Sequence, residues 1–455
     1  MMTIEDFGRR LRARQATSVQ VTEDCLRRID ADNASYNAFT QVMAEEALRR
    51  AHQADKELAA GTDRGPLHGV PMSIKDQLDV RGLPTTAASR VREGHVADRD
   101  APTVAHLRQA GAVLIGKTNL HEFAFGTTSE DTAFGAVRNP HDPTRSAGGS
   151  SGGSAASIVA GMALASVGTD TGGSVRIPSG VCGLVGLKPT IGEVSVDGCV
   201  PLSRTLDHIG PLAASVGDVS VVYHALLGDA RTTPPVPMPM HGLRLAVPRK
   251  YFCDLLDDDV RAAFEAALDR LRTAGAHIDE IEIRHAVDIA PVYLHIVLSD
   301  AAAYHAHTLE TVPERYTPPV RLRLEMGRYI MAEDYVRALA GREVLVREVD
   351  AALAQHDALV LPTLPIVAPP IGAASVEVGK SKEPVRNVML RLTQLFNVTG
   401  HPAISIPATP SSTGLPCGVQ LVGCRHQTDA LLKVALACEP QITGVSVPRG
   451  GTEGG

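Results

Sequence analysis

The stretch from Gly148 to Ser174 constrains this chain most: it opens with GGSSGGS, closes with DTGGS, and holds a short apolar segment between the two. Gly152 to Ala160 is expected to begin a helix after the first loop, and Ala163 to Val167 a strand leading into the second. Glycine lacks a Cβ, so a chain through Gly172, Gly173 and Ser174 can aim successive N–H groups at one point and approach a ligand closely. Open amides beside serine hydroxyls point to acyl chemistry, in which a serine needs a base to take its proton. Neither loop contains histidine. Lysine can serve only as the neutral amine, so its pKa must fall from ~10.4 toward neutrality through burial or neighbouring positive potential. Lys75 follows the apolar, strand-like run Val70, Pro71, Met72, Ser73, Ile74, which sets its stem at the edge of a core.

GVPMSIKD, GGSSGGSA and GTDTGGSVRIPSGVCGLVGLKPT, in this order, resemble the signature of the amidase signature family, whose members hydrolyse amides with a Ser-Ser-Lys triad. The separations match as well: 75 residues from Lys75 to Ser150 and 24 from Ser150 to Ser174. The resemblance is clearest over residues 69–217 and extends weakly to both ends, including the late segments NVTGHPAISIP and GLPCGVQLVG. It implies an α/β fold: one large domain over residues 1–448 with a central mixed, twisted sheet flanked by helices on both faces. The substrate region would be a variable helical stretch over 291–355, and residues 449–455 a disordered tail.

Carried over by position, the resemblance implies that Ser174 is the nucleophile. Ser150 would be a cis serine relaying protons to Lys75. The amides of Thr171, Gly172, Gly173 and Ser174 would form the oxyanion hole, with Ser151, Asp170 and Arg176 bracing the site. Phe125, Gly126, Thr127 and Thr128 upstream, and Ile177 beside the nucleophile, would line the substrate pocket. No cofactor and no metal are expected.

Two other patterns compete. GAVLIGKT at 111–118 fits a phosphate-binding loop, yet Pro102 to Ala110 is helix-like, Gly111 acts as a helix stop, and Ala112 to Ile115 form an apolar strand. Lys117 and Thr118 are then expected just past the strand end. GGSSG at 148–152 fits the nucleophile elbow of α/β-hydrolases, but the preceding Asn139 to Arg145 is turn-rich where the elbow needs a strand. Seven cysteines without a CxxC pair suggest reduced thiols, and Cys182 in SGVCGLVGL fits core packing.

A net charge of −7 without a long basic run argues against nucleic acid and anionic membranes as partners. Met1 to Gln15 is charged and has no apolar core, and no run of ~18 apolar residues occurs later, so neither a leader nor a membrane span is expected and the location is cytoplasmic. Helices are expected at Val21–Asp32, Ala44–Ala60 and Asp258–Ala274, a strand at Leu243–Val247, and a final strand-helix set from Leu359 to Cys438. The Pro-rich tract Pro234 to Pro239 is a loop within the domain.

The function expected is hydrolysis of a small aryl or alkyl amide. The apolar residues Tyr293, Leu294, Ile296, Tyr304, Tyr316, Leu322, Leu324, Met326, Tyr329 and Ile330 of the helical stretch favour such a substrate over a charged amino-acid one. Carbamate or ester hydrolysis by the same triad is the alternative. Further options are a non-catalytic binding subunit or the glutamine amidase component of a tRNA-dependent amidotransferase. A YxGxRYG-like segment is absent, and HQTDA stands where that component carries an acidic stretch. A homodimer and the need for a partner subunit stay open.

Overall fold

The computed structural model describes residues 1–229 and 234–444. The tail expected at 449–455 lies outside the described residues. Helix α1 (Ile4–Arg12) occupies the charged N-terminus, with Ile4, Phe7 and Leu11 buried and its arginines outward. Thr17 and Gln20 form a capping box that starts α2 (Ser18–Tyr36), earlier than the apolar periodicity indicated. Helices α3 (Ala44–Ala59) and α4 (Pro102–Gln109) follow.

The main strands are β1 (Phe39–Val42), β2 (Pro71–Lys75), β3 (Val113–Thr118), β4 (Ala165–Asp170), β5 (Val185–Lys188) and β6 (His208–Ala213). They continue with β7 (Arg244–Pro248), β8 (His277–Ile281), β9 (Ala358–Pro362), β10 (Ala403–Pro407) and β11 (Gly418–Val422). Among the described residues these make one eleven-stranded sheet, in the order β1-β3-β2-β4-β6-β5-β10-β11-β9-β7-β8. Strands β3, β2 and β4 run parallel, as do β9, β7 and β8; the remaining neighbours are antiparallel.

Every residue of β2, β3, β4, β5 and β6 is buried. Successive side chains point to opposite faces, so this continuity requires cover on both faces of the sheet. Helix α5 (Gly152–Val159) packs on β2 and β4, α6 (Arg176–Cys182) on β5 and β10, and α7 (Val216–Leu226) on β6. Helix α8 (Asp258–Thr273) packs on α14 (Thr428–Thr443), which also covers β10 and β11.

The helical stretch consists of α9 (Ile289–Thr311), α10 (Pro318–Gly327) and α11 (Ala332–Leu353), followed later by α12 (Val385–Leu390) and α13 (Gln394–Val398). By length and composition alone, 286–311 is apolar enough to cross a membrane, with a mean hydropathy of 1.4. Half of that window is buried in the protein, and α9 packs on α10, α11 and α13, which accounts for its apolar character as helix packing.

Two local expectations change. Lys117 and Thr118 lie inside β3 rather than past it, because the buried Lys117 Nζ meets Asp76 Oδ1 at 2.8 Å, Thr85 Oγ1 at 2.8 Å and Pro84 O at 2.7 Å. A compensated charge does not have to end a strand. Upstream of GGSSG, Arg138–Asn139 pairs with Asp142–Ser146 in a two-stranded ribbon, so a strand does stand there. It is separate from the central sheet, whereas a nucleophile elbow follows a strand of that sheet.

Candidate active site

Parallel pairing of Met72 with Ala165, Ser73 with Ser166 and Ile74 with Val167 brings the C-terminal ends of β2 and β4 to one edge of the sheet. Lys75 closes β2, and Thr169 and Asp170 close β4. Lys75 is fully buried, not at the edge of the core, and its Nζ lies 2.8 Å from Ser150 Oγ and 2.6 Å from Thr169 Oγ1. Both partners are neutral hydroxyls. Burial is the main cause that pushes the amine down to about 7, against weaker upward pulls from Cys199, Asp170 and Asp207.

The first glycine-serine loop enters α5 through a cis Gly149–Ser150 peptide, and Ser150 O accepts from His121 N–H and Ser129 Oγ, each at 3.1 Å. Ser151 couples the loops. Its Oγ donates to Thr169 O at 3.2 Å and accepts from Thr169 N–H at 3.3 Å, while its N–H donates to Ser174 O at 3.2 Å. Ser174 is therefore beside Ser150 in space. Among the described residues, however, Ser174 Oγ makes no hydrogen bond, so the two serine hydroxyls are not joined in this state.

The amides of Thr171, Gly172, Gly173 and Ser174 donate to no acceptor among the described residues. Gly173 has φ +139, and a Cβ there would lie 2.3 Å from Thr393 Oγ1. A Cβ on Gly172 would lie 2.4 Å from the Tyr293 hydroxyl. Both positions admit only glycine, which leaves the loop closely packed with its donors uncommitted. Thr393 Oγ1 donates to Gly172 O at 2.6 Å and holds the turn from behind.

Asp170 and Arg176 bracket that turn. Arg176 is fully buried; its Nε is 3.1 Å from Asp170 Oδ2 and its Nη2 3.0 Å from Asp170 Oδ1. The same guanidinium donates to Thr393 O at 3.0 Å, Gln420 Oε1 at 2.6 Å and Asn397 Oδ1 at 2.7 Å. Burial alone would raise Asp170, but the charge and hydrogen bonds of Arg176 outweigh it and hold the carboxyl below its usual range. Asp207 adds a second buried brace: it accepts from Thr171 Oγ1 at 2.6 Å and from the N–H groups of Leu202 and Ser203. Burial pushes it up to about 6.

Ser174 opens into a narrow pocket lined by Ala124, Phe125, Gly126, Thr127, Thr171, Gly172, Leu202, Tyr293, Arg386 and Leu390. Of the expected pocket residues, Phe125, Gly126 and Thr127 line it. Thr128 and Ile177 stand behind it: Thr128 O accepts from Ser146 Oγ at 2.7 Å, and Ile177 is buried beneath Gly173. Of the ten apolar helical residues, Tyr293 alone lines this pocket. Leu294, Tyr304, Leu322, Met326 and Tyr329 are exposed, and Ile296, Tyr316 and Leu324 belong to the core. Their apolar character serves packing and surface, so it carries no information on the substrate.

Sequence reasoning missed Thr169, Gln77, Asp207, Thr393 and Arg386. Asn397 and Gln420, which grip Arg176, sit in NVTGHPAISIP and GVQLVG, so the signal for them was the resemblance of those two late segments. Cys182 is buried with its Sγ 3.4 Å from Ala147 O, and burial pushes the thiol up, which fits packing. Among the described residues no group of three or more His, Cys, Asp or Glu is placed to hold a metal.

A family model described as Amidase matches residues 20–432. The amidase of Pseudomonas putida is 38% identical, covering 97% of this chain and 96% of its own. A glutamyl-tRNA(Gln) amidotransferase subunit from Koribacter versatilis is 34% identical, covering 98% of this chain and 99% of its own. A crystallised amidase superposes with a TM-score of 0.91 at 37% identity, covering 97% of this chain and all of its own.

Proposed function

This chain belongs to the amidase signature family, and from that premise we propose that it cleaves the C–N bond of a small aryl or alkyl amide through an acyl-enzyme on Ser174. The observation that carries this reading is the buried Lys75 amine, held by two hydroxyls and by no carboxylate. A buried lysine depressed to about 7 is largely neutral at slightly alkaline pH and can accept a proton. Thr169 gives its own proton to Gln77 Oε1 at 2.8 Å, so its oxygen accepts from Lys75; the amine also donates to Ser150, and once neutral it can turn its lone pair to that hydroxyl.

In the proposed cycle Lys75 takes the Ser150 proton as Ser150 takes that of Ser174. Ser174 Oγ attacks the carbonyl. The resulting oxyanion meets the uncommitted amides of residues 171–174, each donor contributing about 3 kcal/mol of transition-state stabilisation. Ser150, resupplied by Lys75, protonates the departing nitrogen, because an amide anion is a very poor leaving group. Water then repeats the sequence on the acyl-enzyme. The Ser150 and Ser174 hydroxyls close on each other as substrate binds, since catalytic hydrogen bonds often tighten only in the Michaelis complex.

Support for an aryl or alkyl acyl group comes from the pocket itself, where Phe125, Leu202, Tyr293 and Leu390 form apolar walls. The same triad attacks carbamates and esters, which makes such hydrolysis the second activity of this site. The likeness to the tRNA amidotransferase component favours a glutamine amidase reading, but among the described residues no acidic side chain lines the pocket to meet the ammonium of glutamine. We place the enzyme in the cytoplasm, with seven unpaired cysteines fitting a reducing compartment.

Labelling with a fluorophosphonate probe, together with turnover of benzamide, aliphatic amides, glutamine, a carbamate and a p-nitrophenyl ester, tests this. Wild type is labelled and hydrolyses simple amides, while Ser174→Ala does neither. Labelling that persists in Ser174→Ala, or activity confined to glutamine and dependent on added partner proteins, refutes the reading.

A further inference from the structure

We propose that the acyl group accepted by this enzyme carries a carboxylate, bound by Arg386 and the hydroxyl of Tyr293; the inference rests on the hydrolase reading above and names its substrate class. Arg386 lines the pocket that Ser174 opens into. Its Nε is cut off from solvent without a hydrogen-bond partner, and among the described residues the side chain makes no hydrogen bond and no ion pair. Arg386 as a whole is half-buried, but a buried N–H left without a partner is costly, so such a group in a pocket is one that a ligand completes.

Two guanidinium groups approach the ring of Phe125, Arg323 with Cζ 5.8 Å and Arg386 with Cζ 5.6 Å from the centroid. Arg323 is spent: it donates to Phe125 O and pairs with Asp131 at 3.6 Å. Arg386 has only the ring.

The nearby acids are committed elsewhere. Asp131 faces Arg323 and His121, Asp170 holds Arg176, and Asp207 accepts from Thr171, Leu202 and Ser203. Tyr293 supplies the second donor. It is buried against the glycine turn, its hydroxyl makes no hydrogen bond among the described residues, and it lines the same pocket.

A planar, five-donor guanidinium matches a carboxylate in two parallel hydrogen bonds, and a phenol can add a third. With no Asp or Glu among the described residues of the lining, an added ammonium would find no partner there. The fitting substrate is therefore a simple anion, an ω-amido carboxylate, and not an α-amino acid.

The test measures ammonia release from malonamate, succinamate and glutaramate against neutral amides of matched length, with wild type, Arg386→Gln and Arg386→Lys. Wild type is expected to favour at least one anion by about 100-fold or more in kcat/KM. Arg386→Gln should bring the ratio of anionic to neutral substrate near 1, and Arg386→Lys should restore part of it. Equal or greater turnover of neutral amides by wild type, or a ratio that survives in Arg386→Gln, overturns the proposal. If neither series is hydrolysed, protection of Ser174 from the fluorophosphonate decides. Protection by the anions alone supports the proposal, and equal or absent protection overturns it. A wild type that the probe does not label sinks the hydrolase reading itself.

Discussion

Lys75 Nζ stands 2.6 Å from Thr169 Oγ1, in a hydrogen-bond chain that runs through Gln77 and ends on the backbone of Val200. Gln77 Nε2 donates to Val200 O, which turns its carbonyl oxygen toward Thr169. The polarity of the chain is thereby set: Lys75 donates to Thr169 and to Ser150, and only as the neutral amine of the proposed cycle can it accept from Ser150. Thr169, a hydroxyl within GTDTGGS to which the resemblance assigned no role, thus fixes one partner of the lysine amine.

Thr169→Val keeps the shape of the side chain and removes the acceptor, so kcat should fall by about 10–100-fold, less than the ~100–10,000-fold that a positioned acid–base group itself supplies, because Thr169 acts through Lys75. Thr169→Ser should recover most of the loss. The ammonium form of Lys75 also loses a partner in Thr169→Val, so the rising limb of the pH–rate profile should move to lower pH. Unchanged kcat and an unmoved limb would remove Thr169 from the relay.

Wild-type kcat/KM should rise with pH through about 7 and stay high into alkaline solution, because burial depresses Lys75 to about 7 and the neutral amine is the proposed base. Lys75→Ala should abolish that limb along with most of the rate. A stopped-assay profile over pH 5–10 provides the check.

The same burial has a cost in stability. A lysine at about 7 in the folded state and 10.5 when exposed differs by about 5 kcal/mol between its protonation states. The unfolded chain binds the extra proton between these values, so this group's contribution to stability rises with pH from about 7 to 10.5 and is flat below 7. Lys75→Met should therefore stabilise the fold most below pH 7 and progressively less toward pH 10.5. Urea melts of both proteins at pH 6 and pH 9.5 measure the difference.

Asp170→Asn leaves Arg176 buried without its countercharge, and such a loss costs about 3–5 kcal/mol. Because Arg176 holds the Asp170 carboxyl below its usual range, the contribution is present above the ordinary carboxylate pKa and is lost as pH falls below it. Thermal melts at pH 7 should show a large drop for the mutant, with the gap to wild type closing in acid. Activity should fall too, since the glycine turn proposed to bind the oxyanion is anchored to this pair.

Much of the site was legible because its chemistry is local in the chain. The DTGGS pattern signals a turn with open amides, and the spacing of Lys75, Ser150 and Ser174 is a property of the sequence alone; the close packing of Gly172 on Tyr293 and of Gly173 on Thr393 is not in the pattern. The helices Ala44–Ala59 and Asp258–Thr273 were visible in their apolar periodicity. The helical stretch misled in one respect: its apolar residues signal burial or exposure, and nothing in a periodicity says which cavity a buried face adjoins.

What the sequence by itself determined is which side chains and turns are available: two glycine-serine loops with open amides and a lysine at the end of an apolar strand. Only the tertiary structure decided how they act together. Parallel pairing of β2 with β4 sets Lys75 against Thr169, and full burial, not residue type, moves its amine toward neutrality. Arg386 enters the pocket from a distant segment, and its lack of a counterion exists only once the surrounding acids have found other partners. Electrostatic environment is a sum over neighbours in space, and the order of residues along the chain does not contain that sum until the chain has folded.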